Sequence, residues 1–368
     1  MTNPFETAFL RAPVKLSADV FTPLTRTPWA GTAIARRFKS AMPGVMPATR
    51  IGESWDFSCD PAFPSRVVGR AETLLELVRR FPEETLSPSL AGKGACEILV
   101  KLIHADMPLS VQVHPADSDP DLKKGECGKP ESWLVLDAEP GAGLYLGFSR
   151  SMNRDALREL LASGTSSPDW LQFVPVRAGD YFEIAPGVPH AIGPGVLLLE
   201  PQRILQGQSG KTYRLWDWGR KYDSSGLVDS ARGQPRELHL EASLRLMDPS
   251  TQVGASYADS LRRGCERRTP ALGLTWEIFP ANEYYQLHRV KAAGKRSARL
   301  SIRDGYGALL MLDGALQMGS GDERMVVLGR GEPALLPHHA MPLDVEIGNG
   351  ADVVVVIPAG ASLEVSSR

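Results

Sequence analysis

The chain is poor in cysteine: four in 368 residues, Cys59, Cys96, Cys127 and Cys265, with no C-x-x-C pair. That excludes a cysteine-built zinc ribbon and a disulfide scaffold, and it reads as the reduced thiols of a cytoplasmic protein. No apolar run reaches the ~20 residues that a membrane-spanning helix requires. The opening residues, MTNPFETAFLRAPVKL, lack the charged start and apolar stretch of a secretory leader. The formal net charge is only -2, so no broad basic field for nucleic acid is implied. Hydrophobic residues make up 43%, with 35 glycines and 29 prolines, which suits many short strands separated by turns.

Strand-like runs dominate the first two-thirds: 97–105, 109–115, 132–138, 142–148, 173–178, 180–186, 195–202 and 211–218. Turn residues separate most of them, the pattern of an antiparallel sandwich or barrel. Helical periodicity predicts helices over 71–84, 153–164 and 236–247, the second stopped by Gly164. The segment 262–273 reads as an exposed crossing, after which the strand rhythm resumes. We therefore expect two units, 1–250 and 251–368. RAGDYFEIAPGVPH (177–190) faintly answers GRGEPALLPHH (329–339), a trace of duplication.

Chemistry concentrates in PLSVQVHPADSDPDLKKGECGKPESW, residues 108–133. On a strand, residues i and i+2 share a face. Gln112 and His114 therefore project together, away from Val111 and Val113. If that face lines an interior, each unpartnered polar group costs roughly 1–3 kcal/mol. A hydrogen-bond network or a metal ion would offset this. GDYFEIAPGVPHAIG supplies His190 after a turn at Gly187 and Pro189. Glu131 completes a nitrogen–oxygen donor set without thiolates, suited to zinc or another divalent transition ion with a position left open. The plainer alternative stays open: hydrogen-bonded histidines in a core, with Glu131 simply pairing Lys129.

Several blocks together resemble type I phosphomannose isomerase: GESWDFS (52–58), LVKLIHADMPLSVQVHP (99–115), GKPESWLVLDAEPGAGLYLGF (128–148), GDYFEIAPGVPHAIGPGVLLLEPQ (179–202) and TYRLWDWGR (212–220). Their order matches as well, over close to half the chain. The resemblance implies a mainly β fold of two cupin-like β-barrels with a few helices. The first barrel, in 1–250, would bind metal; the second, in 251–368, would be metal-free. It implies Gln112, His114, Glu131 and His190 as ligands of one Zn2+ per chain, or of another divalent metal.

The resemblance further implies interconversion of mannose 6-phosphate and fructose 6-phosphate through an enediol. Stabilising cations and a base within ~3 Å of the moving proton are then required. Arg214, Lys101 and Glu200 fall where the family has catalytic residues; Ser110 resembles its serine near the phosphate and, with Lys129, would hold that anion. Glu53, Trp55, Asp217 and Trp218 read as braces, and His104, His239 and His288 as structural. The partner is a small sugar phosphate, with neither nucleic acid nor membrane. One departure stands out: Gly210 occupies a position where the family has an aspartate, and Lys211 follows it. A cupin that binds a sugar phosphate without turnover, for sensing, is the second reading. An iron cupin oxygenase fits poorly with this many cations.

Overall fold

The computed structural model describes residues 4–165, 167–269, 273–320 and 325–366. Among them strands dominate and helices are short. The expected helix over 71–84 forms as two, Leu74–Arg80 and Pro82–Thr85, because Pro82 interrupts it. Thr73 and Glu76 cap the first reciprocally. Arg154–Ala162 and Leu240–Leu246 are the other two expected helices. The crossing at 262–273 is largely exposed where described, with Arg262 and Cys265 half-buried, and its Glu266–Arg268 forms an edge strand; 270–272 lie outside the described residues.

The strands between residues 53 and 216 build two five-stranded sheets and one parallel pair, Glu126–Cys127 with Ser209–Gly210. One holds Glu53–Phe57, Ile98–Ala105, Val196–Arg203, Glu131–Ala138 and Tyr181–Ile184 in spatial order. The other holds Tyr213–Trp216, Val111–Val113, His190–Ile192, Gly143–Phe148 and Leu171–Pro175. Strands from residue 266 onward build a five-stranded sheet and most of a seven-stranded one, which Val14–Lys15 joins at its edge.

The alternation of side chains stacks these sheets into layers. In the 98–105 strand, Ile98, Val100 and Leu102 face one way and Ile103 and Ala105 the other. The first set packs with Leu134, Leu197 and Leu199 against Tyr285, Leu287, Leu310 and Val356 of the seven-stranded sheet. The central sheet of the first half is thus buried on both faces, which is why its strands read as near-continuous apolar runs. Between the seven-stranded sheet and the five-stranded sheet of the second half, Leu300, Leu309, Met311, Leu343 and Val355 fill a second interior. The outer sheet of the first half rests its other face, through Val111, Phe148 and Leu215, on the helices 154–162 and 240–246. Lys39, fully buried, ties the halves by reaching Asp56 at 2.5 Å and the carbonyl of Gly331 at 2.8 Å.

The expectation of closed barrels is corrected. Among the described residues the sheets remain open. The two sheets of the first half meet through side chains rather than through strand pairing. Their edge strands, Glu53–Phe57 and Tyr213–Trp216, stand apart, and residues of both line the cleft between.

Candidate metal centre and cleft

Between the two sheets of the first half lies a cleft of about 500 Å³. Its floor is set by strand register. His190 lies opposite Gln112, which on its other side lies opposite Arg214, so three neighbouring strands aim these side chains at one face. In the facing sheet Gln202 lies opposite Glu131, and Glu200 opposite Lys101. The local turn before His190 depends on Gly187, whose φ is +83° and whose missing Cβ would lie 2.8 Å from the Leu246 carbonyl oxygen.

Three of the four sequence-nominated ligands converge within one small volume. One ligand atom each from His114, Glu131 and His190 lies within 4.8 Å of the others, all three residues buried. The two histidine Nε2 atoms stand 3.5 and 3.4 Å from the two oxygens of Glu131. Each Nδ1 contacts a backbone carbonyl, Lys211 at 3.2 Å for His114 and Val188 at 2.8 Å for His190. A carbonyl can only accept, so Nδ1 carries the proton and Nε2 keeps its lone pair facing the centre. The Nε2 of His114 is buried without a hydrogen-bond partner. Burial and the nearby Lys129 charge depress the His114 pKa to about 3, which keeps the ring in its neutral, ligating form. Burial is the largest influence on Glu131 and opposes its charge, yet the net effect, to which Lys129 at 3.3 Å contributes most, holds the carboxyl well below its usual range. Gln112 donates its amide to Ser110 Oγ at 3.0 Å, leaving its carbonyl oxygen as the available ligand atom. This neutral-nitrogen and oxygen set, with one orphaned imidazole nitrogen, fits a divalent cation.

The other sequence-nominated residues line the same cleft: Lys101, Ser110, Lys129, Glu200 and Arg214. Lys101 forms an ion pair with Glu200 and lies 3.6 Å from Glu53. Burial works against its charge, yet the two carboxylates overcome this and raise its pKa above the ordinary value. Glu200 accepts from Trp133 Nε1 at 2.9 Å, and burial pushes its pKa up against the pull of Lys101.

Some assignments shift. Glu53, read as a brace, lines the cleft itself and takes hydrogen bonds from Thr22 at 2.7 Å and from Trp55 at 3.2 Å. Lys211 does not extend a cation into the cleft: its Nζ binds Glu126 at 2.7 Å, and it is the Lys211 carbonyl that orients His114. At Gly210 an added Cβ would meet Lys129 Cγ at 2.9 Å, so the absent side chain is room that the Lys129 stem occupies. Sequence reasoning missed Gln202, which donates to Glu131 at 2.7 Å, and Trp133. Only the alternation of VLLLEPQ, which puts Gln202 on the face of Glu200, hinted at the former. His104, His239 and His288 each accept an N–H at Nδ1, from Ala33, Arg214 and Trp276 respectively.

No family model matches the chain. A mannose-6-phosphate isomerase of Streptococcus mutans is 27% identical over 84% of this chain and 89% of its own length. Mannose-6-phosphate isomerase ManA of Bacillus subtilis is 34% identical over 60% of this chain and 64% of its own. Among solved structures, the mannose 6-phosphate isomerase from Bacillus subtilis superposes with a TM-score of 0.73 at 24% identity, covering 94% of this chain and 99% of that one. A mannose 6-phosphate isomerase bound with zinc and yttrium gives a TM-score of 0.66 at 15% identity, covering 94% and 99%.

Proposed function

The chain is related to the type I phosphomannose isomerases in sequence and shares their fold, and from that premise we propose that it interconverts mannose 6-phosphate and fructose 6-phosphate. The observation that carries this reading is the meeting, in one cleft, of the His114–Glu131–His190 group with the Lys101–Glu200 ion pair. Gln112, His114, Glu131 and His190 would hold the metal ion, with zinc first in line given the zinc-bound structural neighbour. Bound there, a divalent ion would polarise the sugar's carbonyl.

The chain's own residues account for the rest. Moving a proton between C1 and C2 requires one group that takes it and returns it on the same face. Glu200 suits that role because burial has raised its basicity while Trp133 fixes its orientation. Lys101, kept charged by Glu200 and Glu53, and Arg214 stabilise negative charge growing on the sugar oxygens. Ser110 and Lys129 bind substrate beside the ligand group, because the first contacts Gln112 and the second Glu131.

We read the chain as two units meeting near residue 250, related in the manner of a two-cupin protein with open sheets. The second unit backs the central sheet through their shared apolar layer. No helix is long and apolar enough to cross a membrane among the described residues. A cytoplasmic location is our reading of the free cysteines.

The test is a coupled assay of the purified protein with mannose 6-phosphate, with and without a chelator. Chelator-sensitive turnover supports the isomerase. Tight sugar-phosphate binding without turnover would replace it with a sensor.

A further inference from the structure

Ser110 and Lys129 both sit at the ligand end of the cleft, one contacting Gln112 and the other Glu131. A hexose 6-phosphate carries its phosphate at the opposite end of a six-carbon chain from its carbonyl. If the carbonyl faces the ligand group, those two residues cannot also hold the phosphate, and the cleft must supply another anion site further out.

It has one set of candidates. Arg214 lines the cleft one strand away, ~4.8 Å, from Gln112. Its Nη1 donates to the carbonyl of Glu237 at 3.1 Å, and its Nε is buried without a partner. Arg236, the residue just before Glu237, lines the cleft beside it. Its guanidinium lies 4.1 Å over the ring of Tyr222 and donates to the Thr25 carbonyl at 3.1 Å. Tyr222 is itself pinned, its hydroxyl bonded to Asp217 at 2.8 Å and its backbone paired with Gln234. Arg26 lies at the exposed rim of the same cleft.

Among the described residues none of these three arginines has a carboxylate within ion-pair distance. Asp217, whose charge reaches Arg214, is already engaged by Arg220 and Tyr222. Burial and the neighbouring charge of Arg236 both work against Arg214. Two adjacent guanidiniums are thus held in place by neutral carbonyls and an aromatic ring, which orient them without neutralising them. Guanidinium forks of this kind match a phosphate's oxygens.

We propose that Arg236, with Arg26 at the rim, forms the subsite for the substrate's phosphate, with Arg214 standing between that subsite and the ligand group. This rests on the isomerase reading above and names the end of the substrate that the ligand group leaves free. Arg236 is then a specificity-determining residue, absent from the sequence-nominated set because its partner Arg214 lies across a long loop.

The test uses the intact, metal-loaded protein. In Arg236→Gln, KM for mannose 6-phosphate should rise about 10- to 100-fold, the scale of a lost charge-assisted contact, with kcat changed far less and metal content unaltered. Arg236→Lys should recover part of the loss. Inorganic phosphate should raise the thermal midpoint of the wild type and should do so only weakly in Arg236→Gln, a readout independent of turnover. An unchanged KM in a folded Arg236→Gln enzyme overturns the subsite while leaving the isomerase reading intact. Absence of turnover in the wild type, with phosphate binding that depends on Arg236, removes the isomerase reading and keeps the subsite. A wild type that neither turns over nor binds phosphate overturns the subsite.

Discussion

Between the sheets of the first half stand Gln112, His114, Glu131, His190, Lys101, Glu200 and Gln202, around an open cleft. Between those of the second half stand Leu300, Leu309, Met311, Leu316, Leu343, Val345 and Val355, packed shut. The surrounding architecture is alike: paired antiparallel sheets with alternating side chains. What differs is which residue types occupy the inward positions. An apolar interior stabilises its own sheets. A polar one must be braced from outside, since each buried group left unpaired costs roughly 1–3 kcal/mol. Here the brace is the apolar layer shared by the two halves, which presses the second half against the back of the strands carrying Lys101, Glu131 and Glu200.

The contrast can be broken most severely at the ligand group. His190→Ala should remove the metal and reduce turnover by at least about 100-fold, the scale of losing a preorganised stabiliser of oxyanion charge. Metal analysis beside the coupled assay checks it; full metal occupancy in the variant would take His190 out of the ligand set. Next comes Lys101→Met, which leaves the buried Glu200 and the half-buried Glu53 without their cation and should lower stability by about 3–5 kcal/mol in denaturant unfolding. In the second half, Met311→Ala should cost about 2–5 kcal/mol through the cavity it leaves. Turnover per folded molecule should not change, and a drop in it would mean that the halves differ less than their contents suggest.

The mildest probe is pH. Burial, aided by the charge of Arg268, depresses the His288 pKa to about 4. The folded protein therefore binds that proton less readily than the unfolded chain, whose histidine titrates near its ordinary value of ~6.5. The stability contribution is complete above that pH and is lost as pH falls towards 4, by on the order of 3 kcal/mol at most. His288→Gln should flatten the unfolding free energy across this window. An unaltered pH profile would assign the acid sensitivity elsewhere.

Much of this was legible because strand alternation is a local property. Gln112 and His114 share a face by spacing alone, and the glycine–proline turn before His190 announces itself. Register between strands is not local. Nothing near residue 131 indicates that Gln202 will lie opposite it, or that Glu200 will lie opposite Lys101. The same limit applies to Lys211, whose partner Glu126 comes within reach only through the parallel pairing of Ser209–Gly210 with Glu126–Cys127. Whether a set of strands closes into a barrel depends on its two edge strands meeting. Here Glu53–Phe57 and Tyr213–Trp216 leave a cleft where closure would have put a ladder.

The central sheet meets water only where its strands line the cleft, and this bears on how the molecule opens. Away from the cleft its amides can reach solvent only when one of the flanking layers detaches, so they should be the slowest to exchange with deuterium. A fragment ending near residue 250 would present Val100, Leu102, Leu134 and Leu199 bare to water, and should precipitate rather than survive as a smaller enzyme.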